Sequence, residues 1–364
     1  MILSAFAKNM KYIVMALMAL AAYGAEHRIA VIGLVHSHAW GHLPRMVSGK
    51  PATLVGVAES NPALIAEARK IGVAENLIFA DYEKMLDTQK PEIVWAFVEN
   101  NRHLEIARAC AKRKIHLMYE KPLASTYKDA LEIRALAKQA GIHVLTNYQM
   151  AWWPSNYAAK SLADSGALGQ VFRLRGVVGH GGPGSEGARN QFFFEWLTDP
   201  VKNGGGALMD FGCYNALWAL LYLGRPESVY ATVNHLRPET FPKVEDHATL
   251  VLHWKNGSGI FEGSWDLPRS FQELEIFGRN ASALMANGKL EVRKGREAAV
   301  NNEIAPLPPE RAEPIAYMIY AIESGKGIEG MTAIDINVGV NEIIEAAKES
   351  VRTGKPVKLP ATAK

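Results

Sequence analysis

The chain has 364 residues, 48% of them hydrophobic and 21% charged, which excludes a disordered chain and allows a large core divided between two units. A formal charge of only +3 gives no basis for binding nucleic acid or an anionic membrane. Two cysteines, Cys110 and Cys213, exclude a disulfide scaffold; one bridge is open to them in an oxidising compartment, although buried free thiols are the commoner state.

At the start, Lys8 and Lys11 precede an apolar run, Tyr12 to Ala22, that ends in small residues. The run is far short of the ~20 residues a spanning helix needs. Residues 1–25 are therefore expected to be a cleaved secretory signal, leaving an exported protein with no stable membrane insertion. There is no twin arginine and no cysteine near the cleavage site to carry a lipid.

Arg28 to Ile32 is a short β-branched run that stops at Gly33, with a helix pattern from Ala39. A strand, a glycine turn and a helix start aim backbone N–H groups and the helix dipole at a phosphate. Where a dinucleotide fingerprint reads G-x-G-x-x-G, the chain reads Gly33-Leu34-Val35-His36-Ser37-His38. Only the first glycine is kept. Thr53 to Ala58 predicts a second strand ending at Glu59, where a carboxylate would accept the ribose hydroxyls of an adenosine and repel a 2'-phosphate, favouring NAD over NADP. Further strands are predicted at Glu92 to Val98, Ile115 to Tyr119 and Ile142 to Thr146, with helices at about 102–113 and 126–140, the latter opened by Thr126 and Asp129 as a capping box. This alternation predicts an α/β fold with a doubly wound parallel sheet and a ligand crevice at the strand carboxyl ends.

After Asn147 a helix at 155–165 leads into longer alternating runs at 171–178, 228–234, 248–254, 259–265, 274–277 and 290–292. They predict one mostly antiparallel, half-buried sheet. A last amphipathic helix is expected from Ile334 to Val351.

Two stretches could carry chemistry. Glu120-Lys121-Pro122 falls in the predicted crevice, where a lysine could polarise a hydroxyl, or could equally form a surface turn. Asn203 to Gly224 joins a triple glycine to Asp210 and Tyr214, which share a face if a helix starts there. A phenol with an ordinary pKa near 10 needs a neighbouring cation to act as a base, which Lys121 could supply; the alternative is an aspartate serving only the helix dipole. His36, His38 and His42 lack a full set of metal ligands, so hydrogen bonding is expected of them and no metal.

Together these pieces resemble the Gfo/Idh/MocA oxidoreductases. The resemblance runs from about His27 to Pro360 through Gly33, Glu59, Asn100 with His103, Glu120-Lys121-Pro122, Asn147-Tyr148-Gln149, SGALGQV, Trp196 with Asp199, GGGALMDFGCY and SVRTGKPVKLP. It implies a Rossmann domain at 26–148, a substrate and oligomerisation domain with an open-faced sheet at 149–330, and a C-terminal helix and tail at 331–364 that pack back on the body. It also implies a nicotinamide cofactor and alcohol-to-carbonyl chemistry on a sugar or cyclitol. Lys121 matches the family's active-site lysine, with a cis bond to Pro122. Asp210 matches the aspartate of D-x-G-x-H-x-x-D, Tyr214 replaces its histidine, and Leu217 replaces the second aspartate. The implied cofactor contacts are Gly33, His36, Ser37, His38, Glu59, Asn100, His103, Glu120, Lys121 and Trp196. The implied substrate contacts are Lys121, Trp152, Trp153, His180, Asp210 and Tyr214. Val35 and His38 depart from the glycine pattern: Val35 does not readily take positive φ, and two outcomes stay open, that His36 and His38 compensate by donating to phosphate or that the cofactor binds poorly. The expected activity is an NAD-dependent carbohydrate oxidoreductase. A retained-cofactor enzyme that cleaves a glycoside or performs internal redox, and a sugar-binding protein without cofactor, are the alternatives. Self-association through the open sheet is expected.

Overall fold

The computed structural model describes residues 27–184 and 186–359. The expected signal lies outside the described residues. Two sheets organise the chain. The first has six parallel strands in the order β3-β2-β1-β4-β5-β6: β1 (Arg28–Ile32), β2 (Thr53–Ala58), β3 (Ile78–Phe79), β4 (Ile93–Ala96), β5 (His116–Glu120) and β6 (Val144–Asn147). The central strands are buried on both faces, as their unbroken apolar runs require. Between them lie α1 (Ala39–Val47), α2 (Pro62–Ile71), α3 (Tyr82–Gln89), α4 (His103–Arg113) and α5 (Tyr127–Ala140). β6 begins two residues later than the sequence suggests. Gly141 ends α5 in the left-handed region, and the Ile142 amide is spent on the carbonyl of Ala137.

α6 (Pro154–Asp164) leads into β7 (Val171–Gly179), α7 (Gly187–Leu197), α8 (Ala207–Asp210) and α9 (Gly212–Leu223). The remaining strands are β8 (Ser228–Asn234), β9 (His247–Trp254), β10 (Gly257–Ser264), β11 (Phe271–Gly278), β12 (Ser282–Ala286), β13 (Lys289–Arg293), β14 (Val300–Asn301) and β15 (Val357–Lys358). They form a nine-stranded sheet in the order β14-β13-β12-β11-β7-β10-β9-β8-β15, antiparallel apart from the pair of β7 with β10. One face packs on α9, whose residues are buried for most of its length. The other face is open: strand register places Tyr230, Val251, Ile260, Arg175, Glu275 and Leu284 in one row across it.

α10 (Pro314–Ser324) inserts Ile315, Tyr317 and Met318 into the core around Ile29, Val31 and Trp95. α11 (Ile334–Thr353) touches α9, β8 and α5, so it joins the two sheets. Asn341 on α11 donates to the carbonyl of Ala124 at 2.7 Å. Neither α7 nor α10 is marked in the sequence reading. α7 bunches its apolar residues at Phe192 to Phe194, Trp196 and Leu197, so the helical period is hidden. Cys110 and Cys213 are both buried free thiols. No helix among the described residues is long and apolar enough to cross a membrane.

Candidate active site

The crevice forms where β1 ends. Gly33 turns there at φ +78°, and a Cβ on it would stand 2.5 Å from Val98 Cγ1, so no other residue fits. The loop that follows spends most of its amides internally. Gly33 donates to Ala58 O, Leu34 to Glu59 Oε2, His36 to Phe97 O, and His38 to His36 Nδ1. The amides of Val35 and Ser37 have no acceptor among the described residues, and they flank the start of α1. That pair suits the pyrophosphate of a dinucleotide. Val35 is not in positive φ, and its half-buried side chain packs between the cores of the two sheets.

A second cluster joins the exit of β5 to α8 and the start of α9. The β5 exit presents Lys121, and its peptide to Pro122 is cis. The Lys121 ammonium donates to Asp210 Oδ1 and, at 3.1 Å, to the Asp210 carbonyl. Asp210 Oδ2 accepts from Trp265 Nε1 at 2.8 Å. Lys121 Nζ lies 5.3 Å from the centre of the Tyr214 ring and 5.8 Å from that of Phe211. Tyr214 in turn meets Tyr148 edge-on at 5.1 Å. The triple glycine sets this up: a Cβ on Gly206 would lie 1.9 Å from Glu245 O, and the Glu245 carboxylate takes the Gly206 and Leu208 amides at the start of α8.

Charges in the cluster follow from burial and pairing. Burial opposes the Lys121 ammonium, but Asp210, with Tyr214 and Cys213 behind it, raises it above the usual lysine value. Burial likewise opposes the Asp210 carboxylate, which Lys121 nonetheless pulls below its ordinary range. Tyr214 is pushed up by burial despite Lys121, so it is held as a neutral phenol. His180 stands edge-on to Phe211 at 5.0 Å, is lowered by burial, and accepts the Gly182 amide on Nδ1. Beside the loop opens a cleft of ≈ 340 Å³ lined by Ser37, His38, Gly41, His42, Asn147, Gln149 and Trp152, so the loop and the exit of β6 form its walls.

The profile described as an oxidoreductase family with an NAD-binding Rossmann fold matches residues 27–148, and that of the GFO/IDH/MocA C-terminal domain matches residues 157–284. The chain belongs to the Gfo/Idh/MocA family. It is an NAD(P)-dependent oxidoreductase. D-xylose 1-dehydrogenase (NADP(+)) 2 of Haloferax volcanii is 28% identical over 84% of this chain and 94% of its own length. Levoglucosan dehydrogenase of Pseudarthrobacter phenanthrenivorans is 25% identical over 86% of this chain and 85% of its own. Among solved structures, aldose-aldose oxidoreductase from Caulobacter crescentus shares the fold with a TM-score of 0.78, at 22% identity, over 92% of this chain and 100% of that one.

Within this Gfo/Idh/MocA framework the structure brings Lys121, Asp210, Tyr214 and His180 together, with Ser37, His38 and Trp152 on the cleft, and corrects the placement of others. Trp153 is outside the cleft; it lines a separate depression with Pro154, Ser155, Asn287, Gly288 and Ile304, because 3₁₀ geometry over Gln149–Trp152 turns consecutive tryptophans apart. Asn100 is buried and donates to the side chain and carbonyl of Asn203, tying β4 to the triple-glycine loop. His103 is also buried; its ring stacks on Tyr119 at 4.4 Å and Nδ1 meets Leu123 O, so it supports the Lys121 loop from behind. His36 is not a cationic phosphate donor: it is buried beside Phe193 and Trp196, its pKa is well lowered by burial and then by His38, and Nδ1 accepts a backbone amide. Trp196 is buried too, donating to Val35 O at 3.2 Å as a roof on the loop.

Glu59 spends Oε2 on the Leu34 amide and Oε1 on the amides of Ser60 and Asn61, all at 2.8 Å, which leaves room for about one more donor on the carboxylate. It pins the loop before it reads a ribose. Glu120 is fully buried, with Oε2 on His38 Nδ1 at 2.8 Å and Oε1 on Asn147 Nδ2 at 2.8 Å. Among the described residues His36, His38 and Glu120 bring potential ligand atoms within 4.8 Å of one another. His42 instead lies against Trp95, 4.4 Å between ring centres. The sequence points to the stretches that hold Asn203 and Tyr148 but gives neither residue a role, and it gives no sign of a role for Trp265; a strand-tip tryptophan and a buried tyrosine carry no pattern that separates them from core.

Proposed function

We propose that this oxidoreductase acts on a carbinol of a sugar or cyclitol, with Lys121, Asp210 and Tyr214 handling the proton. The observation that carries this reading is the ammonium of Lys121, fixed by Asp210 and set against the Tyr214 ring. A bound nicotinamide would supply the hydride acceptor or donor; Gly33, the Val35 and Ser37 amides and Glu59 would hold the dinucleotide. Lys121 and the neutral Tyr214 phenol are both hydrogen-bond donors, so together they favour an oxygen that gathers negative charge as its C–H bond breaks or forms. Asp210 cannot drift from this arrangement, because Trp265 holds its second oxygen. Trp152 offers an aromatic face at the cleft for the apolar side of a pyranose. Relatives named for D-xylose, levoglucosan and myo-inositol support this substrate class. NAD is the cofactor preferred in this reading, because Glu59 opposes a 2'-phosphate. The test is nicotinamide reduction by the purified chain across aldoses, anhydrosugars and cyclitols, with both cofactors. Turnover of at least one such alcohol is expected. Inactivity across the panel in both directions, with cofactor demonstrably bound, would remove the reading.

A second reading, that the cofactor is retained between turnovers, rests on α7. This helix runs over the crevice, where Trp196 caps Val35, Arg189 lies 4.8 Å above the Trp40 ring, and Arg189 also pairs with Glu67 on α2. A dinucleotide lying beneath it would leave only when the helix lifts. For a chain exported through residues 1–25, such retention would keep the cofactor where free dinucleotide is scarce. Cofactor that exchanges with added labelled NAD within seconds, while turnover continues, would exclude it.

A further inference from the structure

We propose that His36, His38 and Glu120 form a site for a divalent first-row transition cation at the floor of the cleft. The donors are two imidazoles and one carboxylate, with ligand atoms within 4.8 Å of one another. Around a four-coordinate zinc with bonds near 2.1 Å, donors stand on the order of 3–3.5 Å apart. His38 Nδ1 and Glu120 Oε2, 2.8 Å apart, are already near that spacing, and His36, with its ligand atom within 4.8 Å of both, would close the set by moving toward them. Two histidines and a carboxylate suit zinc, manganese or iron, and three protein ligands leave a position open. That position faces the cleft, because His38 is 37% exposed there while Glu120 is fully buried. Water or a substrate oxygen could take it.

The surroundings fit a ligand set better than a simple ion pair. Asn147 donates to Glu120 Oε1 and is itself held by Trp152 Nε1 at 2.7 Å, which fixes the carboxylate with Oε2 toward His38. Lys121 is the neighbouring cation in sequence, yet its ammonium is committed to Asp210. The buried Glu120 carboxylate is thus left with imidazoles. An ion pair would account for His38 and Glu120. It would not account for His36, a second buried imidazole whose Nδ1 receives only a 3.2 Å contact from the His38 amide. A cation explains all three, and it does so independently of the redox reading.

The test uses the full mature chain, stripped with chelator and dialysed, and titrated with zinc, manganese and cobalt chlorides by calorimetry and thermal shift. One ion per chain should bind with a rise in Tm, and cobalt should give a visible d–d band. His38→Ala and Glu120→Gln should each weaken binding on the order of 100-fold, and Asn147→Ala by roughly 10–100-fold. His42→Ala, which removes a cleft histidine outside the set, should leave affinity unchanged. Circular dichroism separates lost ligation from lost folding, and the cobalt band reports coordination without any assay of turnover. No binding of the three ions at about 100 µM, or binding indifferent to His38→Ala and Glu120→Gln in folded protein, would overturn the site.

Discussion

The Lys121 ammonium is bound by Asp210 twice, through the side-chain carboxylate and through the main-chain carbonyl. One residue therefore sets both the charge of Lys121 and its position beside Tyr214. Lys121 and Asp210 are 6% and 5% exposed, so the pair is also part of the interior.

Lys121→Ala and Tyr214→Phe should each reduce kcat on the order of 10²-fold or more, the usual worth of a proton-transfer group. Their stabilities should diverge. Lys121→Ala strands a buried carboxylate, a change that costs about 3–5 kcal/mol, whereas Tyr214→Phe keeps the ring against Tyr148. Denaturant titration beside steady-state kinetics checks both, and activity unchanged in the two variants would remove the proposed site.

Cofactor preference should depend on Glu59. Wild type is expected to favour NAD, and Glu59→Gln should narrow the NAD to NADP ratio of kcat/KM by about 10-fold, as one charge at a few ångströms would. Because Glu59 also accepts the Leu34, Ser60 and Asn61 amides, Gln is the informative change and Ala is not. A wild-type preference for NADP would show that Glu59 does not face the 2' position.

His103 should make the fold sensitive to mild acid. Burial lowers its pKa from 6.5 to about 4, with Leu123 O, the Val98 and Pro122 backbone and the Glu120 charge pulling the other way. Between those values the unfolded chain binds a proton that the folded chain does not, so stability is complete above pH 6.5 and falls as pH drops toward 4. The slope this adds approaches ~1.4 kcal/mol per pH unit. His103→Phe, which can keep a stack on Tyr119, should flatten the profile in urea titrations from pH 7 to 4. An unchanged slope would mean that His103 is already free to ionise in the fold.

Self-association is expected through the open sheet face, where Tyr230, Val251 and Ile260 sit side by side on β8, β9 and β10 at 36%, 37% and 38% exposure. Val251→Asp with Ile260→Lys should shift the mass measured by light scattering to that of one chain without lowering Tm by more than a few degrees. A wild-type chain that is already monomeric at micromolar concentration would refute this.

Sequence alone determined five strands of the first sheet, β1, β2, β4, β5 and β6, since buried parallel strands are unbroken apolar runs and α5 carries caps at Thr126 and Gly141; β3, only Ile78–Phe79, is too short to show such a run. The sequence also singled out Lys121, Asp210 and Tyr214, at a strand exit and a helix start, and the fold brings the three together. What it could not decide was the direction of side chains in loops. Asn100, His103 and His36 look like crevice residues in one dimension, but they turn inward because Asn203, Leu123 and Trp196, all distant in sequence, supply their partners. Trp152 and Trp153 are neighbours in the chain and line different hollows. Glu120 joins His36 and His38 across more than eighty residues, a meeting that depends on β5 lying two strands from β1 in the finished sheet. Periodicity reports which face of a regular element is buried; only packing between elements sets what a loop side chain touches.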